Sequence, residues 1–144
     1  MKIAYQKLDP KAQEPKRMSD GAAGYDLFAC LEEKQLLRAG HRIAVPTGIA
    51  ISLPIGYEAQ VRPRSGLAIK HGLTVLNSPG TIDSDYRGEI KVILINLGEE
   101  SVAISPSMRI AQLIISKAES ADFTLSKNLD ETKRSTGGFG HSGE

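Results

Sequence analysis

Ile90-Lys91-Val92-Ile93-Leu94-Ile95-Asn96 is apolar at both parities after Lys91. A strand with one solvated face alternates polar and apolar residues, because successive side chains point to opposite faces. Both faces of this run are therefore expected to be covered, either inside a sandwich or against another subunit. Ile110-Ala111-Gln112-Leu113-Ile114-Ile115 reads the same way, and periodicity alone does not choose between the two covers.

Outward from these runs, short apolar segments recur with Gly and Pro between them: Lys2 to Lys7, Tyr25 to Ala29, Arg42 to Val45, Gly48 to Leu53, Tyr57 to Val61, Leu73 to Leu76, Glu89 to Asn96, Val102 to Ile104 and Arg109 to Ser116. That pattern predicts an all-β sandwich or barrel. Only Ser65 to His71 predicts a helical turn, with Ser65 as its N-cap. After Ser116 the apolar pattern fades, and Ser120 to Lys133 keeps only Phe123, Leu125 and Leu129 as large anchors.

The chain has 144 residues, the length of one domain, which buries roughly 68–70% of its unfolded surface. Its 18 Lys and Arg against 17 acids give a net charge of +1. No broad field attracts a nucleic-acid backbone, so a polynucleotide partner is not expected. The single cysteine, Cys30, excludes an internal disulfide and, with no signal-like N-terminus, fits a reducing compartment. No apolar run reaches the ~18 residues that span a bilayer. The expectation is a soluble cytoplasmic protein without membrane contact. Cys30 has no Cys or His at metal-ligand spacing and reads as a packing residue. His41, His71 and His141 share no spacing, and none is assigned as a ligand.

The chemistry concentrates in Gly80-Thr81-Ile82-Asp83-Ser84-Asp85-Tyr86-Arg87-Gly88-Glu89. Turn geometry alone accounts for Asp85 and Gly88. Asp83 follows Ile82, where a strand end would hold its carboxylate against a partly dry wall, as suits a general base; a structural ion pair is the alternative. Arg64-Ser65-Gly66 offers a guanidinium, a hydroxyl and free amides at a turn entering a helix, a natural phosphate ligand set; an ordinary capped turn is its bland reading. Asn77 can both donate and accept on one base edge, or merely serve as a turn residue. Tyr86, from the residues alone, reads first as core. Ser135 to Glu144 holds four glycines, so ordering it costs much backbone entropy, and a mobile arm that orders on binding is expected. Gly138 to Gly143 spells GxGxxG, but only Glu144 remains to form the helix that a dinucleotide site requires. Composition alone favours a plain disordered tail, although Arg134 is available for a phosphate and Phe139 offers a flat face for a base.

Five segments, in order and at family-like spacing, resemble the trimeric dUTP pyrophosphatases (dUTPases). They are Ala22-Ala23-Gly24-Tyr25-Asp26-Leu27, Arg62-Pro63-Arg64-Ser65-Gly66-Leu67-Ala68, Gly80 to Glu89, Arg109-Ile110-Ala111-Gln112-Leu113 and Arg134-Ser135-Thr136-Gly137-Gly138-Phe139-Gly140. The resemblance implies a jelly-roll-like (β-clip) subunit, residues 1–133, in a threefold homotrimer, with a Gly-rich arm, residues 134–144, that closes over the nucleotide. It implies hydrolysis of dUTP to dUMP and pyrophosphate with Mg²⁺, which limits uracil in DNA and supplies dUMP for thymidylate synthesis. Asp83 is implied as the base. Asn77, Thr81, Ile82 and Asp83 would read uracil largely through backbone groups, with no room for a 5-methyl, and Tyr86 would pack under the deoxyribose. Lys91 is a lining residue. Arg64, Ser65 and Gly66 would contact the α- and β-phosphates with Gln112 close by, and Arg134 the terminal phosphate. Gly138, Phe139 and Gly140 belong to the arm, with Phe139 on uracil. Asp26 would lie near the metal, through water. Arg62, Arg87 and Glu89 are expected to pair with neighbours, and Arg109 to be structural. The competing readings are a dCTP deaminase, which needs an acid beside the base, and a trimeric nucleotide sensor without turnover.

Overall fold

The computed structural model describes residues 1–138. Within them the chain runs β1 (Ala4–Lys7), β2 (Tyr25–Phe28), β3 (Gln35–Leu37), β4 (Arg42–Pro46), β5 (Ile49–Ser52), β6 (Tyr57–Arg62), α1 (Ser65–His71), β7 (Leu73–Val75), β8 (Gly80–Ile82), β9 (Lys91–Asn96), β10 (Val102–Ile104) and β11 (Arg109–Lys117). A four-stranded sheet, β2-β11-β6-β8, lies with a three-stranded sheet, β4-β9-β7, and the pairs β1-β5 and β10-β3 complete the framework. Every pairing is antiparallel. The result is the expected all-β, jelly-roll-like subunit with one short helix.

Leu27, Ile49, Leu73, Ile90, Leu94, Ile104 and Ile110 are fully buried between the sheets, each contributing about 1.5–3 kcal/mol by leaving water. Asn96 shares that interior and is satisfied there: its Nδ2 donates to Leu37 O (3.0 Å) and Glu100 O (2.8 Å), and its Oδ1 accepts from Gly98 N (2.9 Å). Cys30 packs half-buried against the same core, and burial, followed by the nearby Asp9 and Glu89 carboxylates, pushes its thiol up.

The two runs read as covered on both faces resolve differently. In β9, Val92, Leu94 and Asn96 are buried while Ile93 and Ile95 stay half-buried, so one chain covers only one face. In β11 the register slips between Arg109 and Ala111. Such a bulge sends two successive residues inward, and Ile110 and Ala111 are both buried.

Two strands escaped the apolar pattern, β3 and β8, each only three residues long with an exposed position between or before buried ones. Ser65 is not the N-cap. Arg64 occupies that position in an extended conformation without a side-chain cap bond, and Ser65 opens the helix, which leaves its hydroxyl outside the helix ladder. Gly72 closes α1 at φ 64°, donating to Ala68 O at 2.9 Å, the left-handed cap that glycine takes without strain. Beyond β11 the described chain forms no strand. Phe123 and Leu125, two of the three expected anchors, are 100% and 99% exposed, and Leu129 is exposed as well; none packs against the described residues. No helix among the described residues is long and apolar enough to cross a membrane.

Candidate active site

Strand β8 pairs with β6 through Thr81↔Gln60 and Val61↔Gly80, which delivers the 83–89 turn to the edge of the four-stranded sheet. A cleft of about 510 Å³ opens there, lined by Asn77, Thr81, Ile82, Asp83, Tyr86 and Lys91. Its back wall adds Ala44 from β4, Val61 from β6 and Ile93 from β9. Gly80 is buried because the Asn77 side chain lies against it: a Cβ there would sit 2.9 Å from Asn77 Nδ2.

The turn is wrapped on its own backbone. Tyr86 N donates to Asp83 O (3.2 Å) and Tyr86 Oη to Glu89 O (3.0 Å). Arg87 Nη1 folds back to Ser84 O (2.7 Å) and Tyr86 O (2.8 Å). Glu89 anchors the whole turn to the barrel, its Oε1 accepting from Gly48 N at 2.9 Å while its Oε2 lies 3.6 Å from Lys91 Nζ. Asp83 stands at the strand end as expected, but its side chain is exposed; the dry wall anticipated beside it is not supplied by this chain. Tyr86 is 45% exposed and lines the cleft rather than the core.

A second cavity, of about 340 Å³, is lined by Asp26, Arg64, Ser65, Gly66, Arg109 and Gln112, with Ala22, Ala23 and Gly24 on its rim. Asp26 organises it. Its Oδ1 lies 3.2 Å from Arg64 Nε and its Oδ2 3.0 Å from Arg109 Nη1, and Arg64 Nη1 also donates to Arg109 O at 2.9 Å. Two guanidiniums share one carboxylate, so the cluster keeps a net positive charge and spare N–H donors in the fork geometry that fits phosphate. Gln112 is fixed by its Nε2 donating to Pro63 O (3.0 Å). Gly24 borders its Oε1 so closely that any Cβ there would collide with it.

With a guanidinium on each oxygen, Asp26 is first an orienting group for the two arginines; among the described residues no three His, Cys, Asp or Glu side chains gather as a metal cage. Arg109, read from sequence as structural, belongs to this cluster. Among the described residues Arg62 has no ion-pair partner: its Nε and Nη2 donate to Gln60 Oε1 at 3.0 and 2.5 Å. The two cavities share no lining residue, so a single chain does not unite the Asp83 set with the Arg64 set. Arg134 lines neither and turns onto its own loop, Nε donating to Gly137 O at 2.8 Å. Gly138 ends the described chain, and Phe139 and Gly140 lie outside the described residues. Sequence reading missed Ala44, Val61 and Ile93, which sit on three strands and carry no local motif.

The dUTPase family profile matches residues 10–143. The deoxyuridine 5'-triphosphate nucleotidohydrolase of Wolinella succinogenes is 56% identical over 144 residues, covering 100% of this chain and 95% of that protein. The enzyme of the same name from Chlamydia pneumoniae is 57% identical over 137 residues, 94% of each chain. Among solved structures, a point mutant of the Staphylococcus bacteriophage 80alpha dUTPase with dUpNHpp superposes with a TM-score of 0.89 at 25% identity, covering 99% of both chains. The protein therefore belongs to the dUTPase family and is an enzyme that hydrolyses dUTP to dUMP and pyrophosphate.

Proposed function

We propose that Asp83 orients a water and takes its proton as the oxygen attacks the α-phosphorus, expelling pyrophosphate. The observation that carries this is the place of Asp83 at the end of β8, on the rim of a cleft whose adjoining wall is Asn77 and the Gly80–Ile82 backbone. In that cleft the Asn77-to-Asp83 segment reads the uracil edge, with Thr81 and Ile82 contributing backbone groups, and Lys91 lines the floor. Tyr86 bears on the deoxyribose, so a 2′-hydroxyl meets the ring. Arg64, Ser65 and Gly66 take the α- and β-phosphates, with Gln112 beside them. The reaction needs an aligned water and neutralised phosphate oxygens, which positioning and electrostatics supply.

Mg²⁺ fits this donor set as an ion carried by the triphosphate, because it prefers oxygen ligands and keeps several waters. Asp26 is the protein group that would meet it, through a water; bound there, Mg²⁺ supplies charge neutralisation. A mutant dUTPase from phage phi11 of S. aureus coordinates a structural Mg(II) ion.

The working site is assembled from three copies in a homotrimer: one gives the Arg64 cluster, a second the Asp83 cleft, a third the arm from residue 134, with Arg134 at the terminal phosphate and Gly138-Phe139-Gly140 over uracil. Support comes from the separation of the two cavities, from the exposure of Asp83, and from Phe123, Leu125 and Leu129 left without cover. Residues 1–133 are the catalytic body and 134–144 the closing arm, in a cytoplasmic enzyme.

The test is pyrophosphate release with Mg²⁺ and each of dUTP, dTTP, dCTP and UTP, repeated with Asp83→Asn. Turnover confined to dUTP, with the variant binding dUTP but reduced by about 10²–10⁴-fold in kcat, is expected; unchanged turnover removes Asp83 from the proposal. A chain ending at Lys133 should keep its sedimentation as a trimer and lose most of its turnover. Full activity in that truncation would sink the closing-arm reading.

A further inference from the structure

Gly88 has no conformational reason to be glycine. Its φ lies outside the left-handed region that marks Gly40, Gly48, Gly56 and Gly72, so no positive φ calls for glycine there. What it lacks is space: a Cβ built on it would stand 2.5 Å from Cζ and 2.9 Å from Cε2 of Tyr86, and against Oη as well. Carbon atoms at such separations repel strongly, since the attractive minimum lies near ~3.5–4.0 Å. The phenol therefore lies flat on the backbone of residue 88, held at its far end by the bond from Oη to Glu89 O. Glu89 is itself fixed through Oε1 to Gly48 N. No core packing does this job, because the ring is 45% exposed.

We propose that Gly88 is a specificity-determining position: by leaving room for the Tyr86 ring to lie down on its own turn, it sets the wall that separates deoxyribose from ribose. This rests on the reading above that Tyr86 bears on the sugar. A methyl at residue 88 lifts the ring, breaks its bond to Glu89 O and takes the wall away from the position where it excludes a 2′-hydroxyl. Gly88 touches neither substrate nor reacting atoms, and acts wholly through Tyr86.

The experiment is steady-state pyrophosphate release by the full-length protein on dUTP and UTP, for the parent, Gly88→Ala, Tyr86→Ala and the double variant. The ratio of kcat/KM for dUTP over UTP should fall roughly tenfold or more in Gly88→Ala, the scale of one misplaced pocket group. In the Tyr86→Ala background the same glycine change should move the ratio by less than about twofold, because its partner is gone. A parental ratio in Gly88→Ala, with Tyr86→Ala still lowering it, overturns the role of Gly88 and leaves the sugar wall standing. A parental ratio in Tyr86→Ala overturns both. An undiminished glycine effect in the double variant shows that it acts through the backbone, and also overturns the inference. If Gly88→Ala loses its fold by circular dichroism, the double variant, which removes the collision, must regain it; a double variant equally unfolded counts against the proposal.

Discussion

Around the Gly80–Glu89 turn nearly every polar contact ends on a backbone atom, as with Tyr86 on Glu89 O, Arg87 on Ser84 O and Gly48 N on Glu89. Across the sheet, Asp26, Arg64 and Arg109 hold one another through side-chain charge, reinforced by one bond to Arg109 O. The turn is thus limited by space, and its sensitive positions are the glycines over which side chains fold. The arginine cluster is limited by charge balance, and its sensitive position is the one acid. Shape is what a base and a sugar require for discrimination, whereas a triphosphate requires donors held ready and not neutralised by one another.

The largest loss of stability among these changes should follow from removing that acid. In Asp26→Ala both guanidiniums lose their counter-charge, and Arg64 keeps only its bond to Arg109 O. Hydrogen bonds to charged groups are worth about 1.5–3 kcal/mol. The lower part of that range applies, because the Arg64 and Arg109 side chains are 26% and 40% exposed and water screens them. Thermal unfolding should fall by several degrees, kcat/KM should drop mainly through KM, and Asp26→Asn, which keeps one acceptor oxygen, should recover part of both. A melting temperature and KM equal to the parent's in Asp26→Ala would erase the distinction between the two regions.

The same contrast explains what the sequence could be made to tell. Recurrent apolar segments separated by Gly and Pro located nine of the eleven strands, because burial on a sheet face leaves a local trace. Strand β3 left none: Gln35 and Leu36 are exposed and only Leu37 is buried, next to the charged run Glu32-Glu33-Lys34. Strand β8 is defined by pairing with β6, 19 to 23 residues earlier, and its Asn-Ser-Pro-Gly approach reads as a loop. At Ile110 and Ala111 the double-sided apolarity of β11 came from a bulge, which no period reveals, whereas Ile114 and Ile115 beyond it stay half-buried. The ordered motifs picked out Asp83 and Tyr86, which line one cleft, and Arg64 and Gln112, which line the other cavity; Arg109's place beside Asp26 and Arg64 left no local sign, since these partners lie 83 and 45 residues away. The dry surroundings expected for Asp83 failed because the residue stands exposed at the rim, just past the end of β8, and a local motif carries no record of exposure.

The smallest effect should come from Tyr86→Phe, and its smallness is informative. That change deletes one hydroxyl that donates to Glu89 O at 3.0 Å and leaves the ring itself in place. Surface changes of this kind usually stay within about 0.5 kcal/mol, so the melting temperature should scarcely move. If the space over Gly88 is what seats the ring, phenylalanine lies in the same position and the preference for dUTP over UTP falls by less than about threefold, under about 1 kcal/mol. A loss as large as that of Tyr86→Ala would mean that the hydroxyl anchor seats the ring. The cleft would then depend on a polar contact as the Asp26 cluster does, and the contrast between a space-limited and a charge-limited region would fail at its most exposed point.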